Sequence, residues 1–258
     1  MTVTASTIDR LAAAAGDLLR GIRGERGGAV RGLAYDSRHV TAGDLFFCIP
    51  GAVTDGHRFA TEAAGAGAAA LCVERPTGTG LPEIEVTDVR RAMGRIAAAY
   101  HGTPAADLMM VGVTGTNGKT TTAYLLESIL GAAGHTTGLI GTIETRIGGE
   151  GHPGVRTTPE SVDLQALLAE MRDRGVGAVA MEVTSHALVL HRVEGIRYLA
   201  AAFTNLTQDH LDFHSGMEDY FEAKRSLFTV ERVEHGTVNI DDPYGRKLFE
   251  DATVPLLG

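Results

Sequence analysis

Six consecutive residues, Leu108-Met109-Met110-Val111-Gly112-Val113, are apolar or glycine, and they run directly into Thr114-Gly115-Thr116-Asn117-Gly118-Lys119-Thr120. A strand with no polar alternation must be covered on both faces. A glycine-rich turn follows it, and Lys119 opens a helix. Strand, turn and returning helix in that order predict a parallel α/β layer architecture. The turn also has a chemical consequence. Glycines let backbone N–H groups approach phosphate oxygens closely, and the helix N-terminus adds partial positive charge. Lys119 is suited to neutralise β/γ-phosphates, and the Thr120 hydroxyl to ligate Mg²⁺. Residues 112–120 are therefore expected to bind the triphosphate of ATP. Gly112 stands six positions before Gly118, where the usual phosphate-loop spacing is five and the residue here is Val113. The segment departs from the general pattern and keeps its chemistry.

Further strands are predicted at 139–143, 178–183, 199–205 and 237–240, and helices at 119–133, 161–174 and 217–228. Their alternation implies βαβ units and a mainly parallel sheet. Before this block lie strand-like runs at 45–49 and 69–73, with helices at 60–67 and 89–100. His101-Gly102-Thr103-Pro104 punctuates the end of the last helix. The expected organisation is an N-terminal α/β domain, residues 1–104, and a phosphate-loop domain of mainly parallel sheet, residues 105–258. The sheet of that second domain reads as incomplete, because the sequence stops in an apolar stretch soon after a strand.

The net charge of −9 argues against a nucleic-acid or anionic-membrane surface, which needs clustered Lys and Arg. Cys48 and Cys72 each sit in an apolar run and read as buried thiols in a reducing compartment. Residues 8–22 mix Asp9, Arg10, Asp17 and Arg20 with Leu and Ala. They read as a surface helix capped by Thr7, not as a signal peptide. No run reaches the length of a membrane span. A cytoplasmic location is the expectation.

Ligands of open α/β sheets bind beyond the carboxyl ends of the strands. Glu182 ends the strand 178–183 and is placed to hold Mg²⁺, which prefers oxygen ligands. Thr204-Asn205-Leu206-Thr207-Gln208-Asp209-His210-Leu211-Asp212-Phe213-His214 follows another strand and concentrates two Asp and two His. It lacks customary zinc spacing, so magnesium ranks above zinc. In the helix 217–228, Tyr220, Phe221, Leu227 and Phe228 form an apolar side. Lys224 reads by composition as a solvated lysine.

Taken together, these motifs resemble the Mur ligases of the MurE type. The matching pieces are Tyr35-Asp36-Ser37-Arg38, Gly43-Asp44-Leu45-Phe46-Phe47, Asp55-Gly56-His57, the segment 112–122 and Thr157-Thr158-Pro159. They continue through Glu182-Val183-Thr184-Ser185-His186-Ala187-Leu188, Arg192-Val193, 204–214, 220–228 and Asn239-Ile240-Asp241-Asp242-Pro243. The family often has Ser-Ser-His where this chain has Thr184-Ser185-His186, a change that keeps the hydroxyl.

The resemblance implies an ATP-dependent ligase that phosphorylates the carboxylate of UDP-MurNAc-L-Ala-D-Glu and passes the acyl group to an amino acid amine. It implies phosphate contacts at Gly115, Thr116, Asn117, Gly118, Lys119, Thr120 and Thr121. It places Thr120, Glu182, His210 and Lys224 around the metal ions, with Lys224 carbamylated, and makes Lys119, Glu182, His210 and Lys224 the catalytic set. Tyr35 and Ser37 match positions near the uridine diphosphate. Thr157, Thr158, Thr184 and Arg192 match contacts to the muramoyl-dipeptide part. The family carries a third, C-terminal domain that this sequence lacks, so the resemblance also implies a fragment or a second chain supplying that domain. Two alternatives stand beside it: a module that binds ATP and a UDP-sugar without turnover, and a related ligase acting on another carboxylate, such as a folate.

Overall fold

The computed structural model describes residues 6–26, 28–51, 54–154 and 156–258. The chain divides into two compact units, residues 1–102 and 103–258.

In the first unit, β1 (Ser6–Thr7) pairs antiparallel with β3 (Ala29–Val30), and α1 spans Ile8–Ala14. Thr7 caps α1 by accepting from the Arg10 amide, as its sequence position predicts. The helix stops well short of residue 22. Gly16 turns the chain at φ +60°, a conformation open to glycine. The segment expected to continue the helix instead becomes β2 (Leu19–Arg23), paired antiparallel with β7 (Glu83–Val86). One face of α1 is deeply buried through Ile8 and Leu11, so it is not a wholly surface helix. β4 (Gly32–Ala34), β5 (Asp44–Phe47) and β6 (Ala70–Val73) run parallel to one another and to β7, giving the order β2-β7-β6-β5-β4. Helices α2 (Ala60–Gly65) and α3 (Val89–Tyr100) complete the unit. Cys48 and Cys72 are buried free thiols, and burial raises both, Cys48 to about 12.

The second unit is built on β8 (Met109–Thr114), α4 (Lys119–Ala132), β9 (Thr137–Ile140), β10 (Glu144–Ile147), β11 (Glu150–Pro153), α5 (Ser161–Asp173) and β12 (Ala178–Glu182). It continues with α6 (Ser185–Val189), β13 (Tyr198–Phe203), α7 (Met217–Arg225), β14 (Val233–Val238), α8 (Pro243–Asp251) and β15 (Leu256–Leu257). The sheet order is β11-β10-β9-β12-β8-β13-β14-β15. From β9 to β15 every pairing is parallel, and β10–β11 is an antiparallel hairpin at one edge. That hairpin, α6 and α8 were not among the elements expected from the sequence.

Gly112 belongs to β8 and not to the turn. A Cβ there would press on the Tyr198 ring at 3.1 Å, so this glycine serves strand packing, and the turn proper begins at Gly115. The strand expected at 237–240 starts earlier, at Val233, because it pairs with β13 from Tyr198 onward. The strand expected at 139–143 ends at Ile140, where Gly141 passes close to Glu182. The helix expected to reach Phe228 ends at Arg225. The main core lies between the sheet and the helices, with Leu164, Leu168, Met181, Tyr198, Phe203 and Phe221 fully or nearly buried.

Candidate nucleotide and substrate site

β8 is central in its sheet, flanked by β12 and β13, so the carboxyl ends of these three strands converge. Val113 stands opposite Glu182, and Thr114 opposite Phe203. The phosphate loop leaves β8 at this convergence. Gly115 adopts φ +142°, and a Cβ there would overlap the Thr204 hydroxyl. Gly118, at φ +84°, is the N-cap of α4 and brings no side chain to the helix end. The first amides of α4 lack partners within the helix, the arrangement that receives anionic oxygens.

The segment after β13 clamps the loop from outside. The Thr116 and Asn117 amides donate to the carbonyl and side-chain oxygens of Asn205, at 2.9 and 3.0 Å. The Thr204 hydroxyl donates to the Asn117 carbonyl at 2.7 Å. The Thr116 hydroxyl meets the Thr207 carbonyl and the Tyr220 hydroxyl, each at 3.2 Å. Asn117 and Gly118 remain exposed, so the loop is held on one side and open on the other.

Two lysines attend the loop. Lys119 Nζ donates to the Gly115 and Thr116 carbonyls at 3.0 and 2.8 Å. Burial lowers its proton affinity, against the carboxylates of Glu182 and Asp209. Lys224, read from composition as solvated, is 1% exposed and donates to the Gly115 carbonyl at 2.8 Å. Its ammonium lies 4.6 Å from the centre of the Tyr220 ring. Burial, with Lys119 nearby, brings its pKa down to about 7.

On the other side of the loop a chain of oxygens crosses the strand ends. Thr120 donates its hydroxyl to Glu182 Oε1 at 3.0 Å. The Thr142 amide donates to the same oxygen at 2.9 Å, and its hydroxyl to Oε2 at 3.1 Å. Thr142 also contacts the Thr157 hydroxyl at 3.0 Å. Thr158 donates to the Glu182 carbonyl at 2.9 Å and lies 3.4 Å from the Thr184 hydroxyl. Arg192 donates to the Thr158 carbonyl at 3.2 Å and pairs with Glu160 at 2.8 Å. Thr184 caps α6 by accepting from the Ala187 amide.

The fold therefore brings Thr120, Glu182, Thr157, Thr158, Thr184 and Arg192 into one connected wall, and Gly115, Thr116, Asn117, Gly118, Lys119 and Lys224 into the loop beside it. Thr121 turns its side chain to solvent. His210 sits in a left-handed conformation at φ +54°, its ring edge-on to His186 at 4.8 Å and to Tyr220 at 6.1 Å. No contact joins it to Glu182 or Thr120 among the described residues. Tyr35 and Ser37 lie in the first unit. Tyr35 is half-buried just after β4, and Ser37 opens a short turn capped by Asp36, whose carboxylate accepts from the Arg38 amide at 3.1 Å. Sequence reading did not single out Thr142, Asn205 or the Tyr220 hydroxyl. Thr204, Asn205 and Thr207 lay in a cluster noted for its Asp and His, although its Thr and Asn residues do the clamping.

Among the described residues no three His, Cys, Asp or Glu side chains converge as a metal cluster. Thr120 and Glu182 offer hard oxygens 3.0 Å apart, a pair whose chemistry fits Mg²⁺ completed by phosphate and water. No described helix is long and apolar enough to cross a membrane.

Fold and site define an α/β protein of the phosphate-loop class, with its loop at the centre of a parallel sheet. The sequence profile of the Mur ligase middle domain matches residues 113–256, and that of the Mur ligase family catalytic domain matches residues 29–101. The chain belongs to the Mur ligase family. It is 54% identical over 233 residues to the UDP-N-acetylmuramoyl-L-alanyl-D-glutamate–2,6-diaminopimelate ligase of Streptomyces coelicolor, covering 88% of this chain and 46% of that protein. The Streptomyces avermitilis enzyme of the same name is 54% identical over 239 residues, covering 90% and 47%. A solved structure of a ligase of that name superposes with a TM-score of 0.81 at 25% identity, covering 98% of this chain and 52% of the other. The chain spans about half the length of the curated relatives it matches.

Proposed function

We propose that this chain forms the nucleotide- and acceptor-binding part of an ATP-dependent amide ligase that joins UDP-N-acetylmuramoyl-L-alanyl-D-glutamate to 2,6-diaminopimelate. The observation that carries the reading is the Thr120–Glu182 hydrogen bond at the first turn of α4, with Lys119 on the adjoining loop. Hydroxyl, carboxylate and ammonium are there gathered at a helix N-terminus, the arrangement that phosphoryl transfer requires. The names of the relatives support the choice of both substrates.

Loop amides and Lys119 bind the phosphates. Thr120 and Glu182 hold Mg²⁺, which when bound offsets charge on the transferring phosphoryl group. Thr157, Thr158, Thr184 and Arg192 orient the acceptor, and Tyr35 and Ser37 contact its uridine diphosphate. A carboxylate oxygen of the acceptor attacks the γ-phosphorus and ADP leaves. The amine nitrogen then attacks the acyl carbon, phosphate departs and the amine loses a proton. A carboxylate is a poor electrophile until its oxygen becomes a leaving group, which is why the first step is needed. By the family resemblance, His210 would also stand near the metal ions.

Lys224 acts as a carbamate. Its neutral amine adds the carbon of CO₂ and releases a proton, turning a buried cation into an anion that supports the metal. Burial and a pKa near 7 support this role, because they leave much of the amine unprotonated at neutrality.

Calorimetry with Mg²⁺ and a non-hydrolysable ATP analogue, then with the UDP-muramoyl dipeptide, tests the reading. Saturable binding of both, with phosphate release from ATP only when dipeptide and diaminopimelate are present, is the expected outcome. Absence of binding for both ligands would overturn it.

A further inference from the structure

His214 lies among the candidate site elements, and no role has yet been given to it. Its side chain is 1% exposed. Nε2 is 2.9 Å from the Ser185 hydroxyl, and Nδ1 is 3.5 Å from the Asp219 carboxylate. A carboxylate can only accept, so Nδ1 carries the proton and the Ser185 hydroxyl donates to Nε2. The ring also packs against Tyr220 at 4.9 Å, tilted by 35°. Burial lowers the proton affinity of this imidazole, against the Asp219 carboxylate.

These contacts form a second link between wall and loop, separate from the Thr120–Glu182 hydrogen bond. Ser185 is the first residue of α6, next to Thr184, which both caps that helix and belongs to the wall with Thr158. Asp219 and Tyr220 lie in the first turns of α7. Tyr220 reaches the phosphate loop through Thr116, and Lys224 on the same helix reaches it through Gly115. This path from wall to loop is thus Thr184–Ser185, His214, Asp219–Tyr220, Thr116, with Ser185, His214, Tyr220 and Thr116 buried and Asp219 exposed.

We propose that His214 is a positioning residue that couples the acceptor wall to the phosphate loop, so that an acceptor carboxylate held at Thr158 and Thr184 tightens the grip on the nucleotide. This inference rests on the proposed function above. A ligand that engages the Thr184 hydroxyl fixes the first turn of α6. Ser185 then holds His214, which holds the α7 turn whose Tyr220 braces Thr116. Ordering paid once for one ligand need not be repeated for the next, which gives positive coupling, and the coupling is reciprocal.

The test is calorimetry of the whole chain with Mg²⁺ and a non-hydrolysable ATP analogue, with and without saturating UDP-N-acetylmuramoyl-L-alanyl-D-glutamate. In the wild type the dipeptide is expected to tighten analogue binding by about fivefold or more. His214→Ala and Ser185→Ala are each expected to lower that ratio, leaving only what the Thr120–Glu182 hydrogen bond transmits, while each ligand alone still binds. A purely structural loss would lower stability without selectively lowering the ratio. If His214→Ala fails to fold, Ser185→Ala decides, since it removes one oxygen from the far end of the link. A wild type that binds both ligands without coupling, or a Ser185→Ala variant that keeps the full coupling, overturns the inference alone. A wild type that binds neither ligand overturns the proposed function itself.

Discussion

The ammonium groups of Lys119 and Lys224 donate to the same carbonyl oxygen, that of Gly115, at 3.0 and 2.8 Å. Two cations on one acceptor, Lys224 buried and Lys119 half-buried, are arranged to receive negative charge. The backbone carbonyl stands between them where phosphate oxygens or a carbamate would bring full anionic charge.

Lys224 makes stability depend on pH. Its folded pKa of about 7 lies below the ordinary 10.5, so between these values the unfolded chain holds a proton that the folded chain has released. Stability therefore rises with pH across that window and falls as pH drops toward 7. Urea titrations of wild type and Lys224→Met at pH 7 and 9 should show the wild type gaining about 2–3 kcal/mol relative to the variant. With ¹³C-bicarbonate, the wild type should also show a carbamate carbon resonance that Lys224→Met lacks.

Gly115 and Gly118 both have positive φ, yet their tolerance should differ. A Cβ at Gly115 overlaps the Thr204 hydroxyl, whereas at Gly118 the nearest atoms are 3.9 Å away. Gly118→Ala should cost about 1–2 kcal/mol from backbone conformation alone. Gly115→Ala should cost more and abolish binding of the ATP analogue, because it displaces the Thr204–Asn117 clamp. Denaturation midpoints and calorimetry on both variants separate the two cases. Equal losses would contradict the assignment.

Glu182 is buried and accepts from Thr120 and twice from Thr142. Glu182→Gln keeps its shape and removes its charge. The Mg²⁺-dependent part of nucleotide affinity should fall about tenfold or more, while metal-free binding changes little. Titration of the analogue with and without Mg²⁺ reads this directly.

Acid should weaken the second unit through His214 and His186. Burial lowers both, and for His186 the neighbouring His210 and His214 add to it. Their folded values lie below the ordinary 6.5, so stability is intact above that pH and is lost as pH falls beneath it. His214→Asn should lose less stability than wild type between pH 7 and 5, as measured by urea midpoints.

The centre of the fold was legible because β8, the loop and α4 are local: an apolar strand, a glycine turn and a helix within 24 residues of one another. Glu182 was legible for a similar reason, as an acid at the end of an apolar strand. Thr142 was not. It reaches Glu182 only because β9 pairs with β12 in parallel register, a relationship between residues about 40 positions apart that no local pattern encodes. The burial of Lys224 was hidden in the same way. Its helix reads as charged and amphipathic, and only packing beneath Gly115 removes the lysine from water. The α1 boundary failed for the opposite reason, since Gly16 and the pairing of β2 overrode helical composition.

The position of β8 between β12 and β13 also sets an order of events. Its neighbours are made long after it, and the residues that clamp the loop, Asn205 and Thr207, come later still. While the chain is being synthesised, residues 115–120 emerge with neither wall nor clamp. Long-range parallel pairing is a slow, late event in folding. The proposed nucleotide grip is therefore acquired only when most of the second unit has left the ribosome, and a nascent chain shorter than about 207 residues holds the phosphate-loop sequence without the wall and clamp that shape the proposed site.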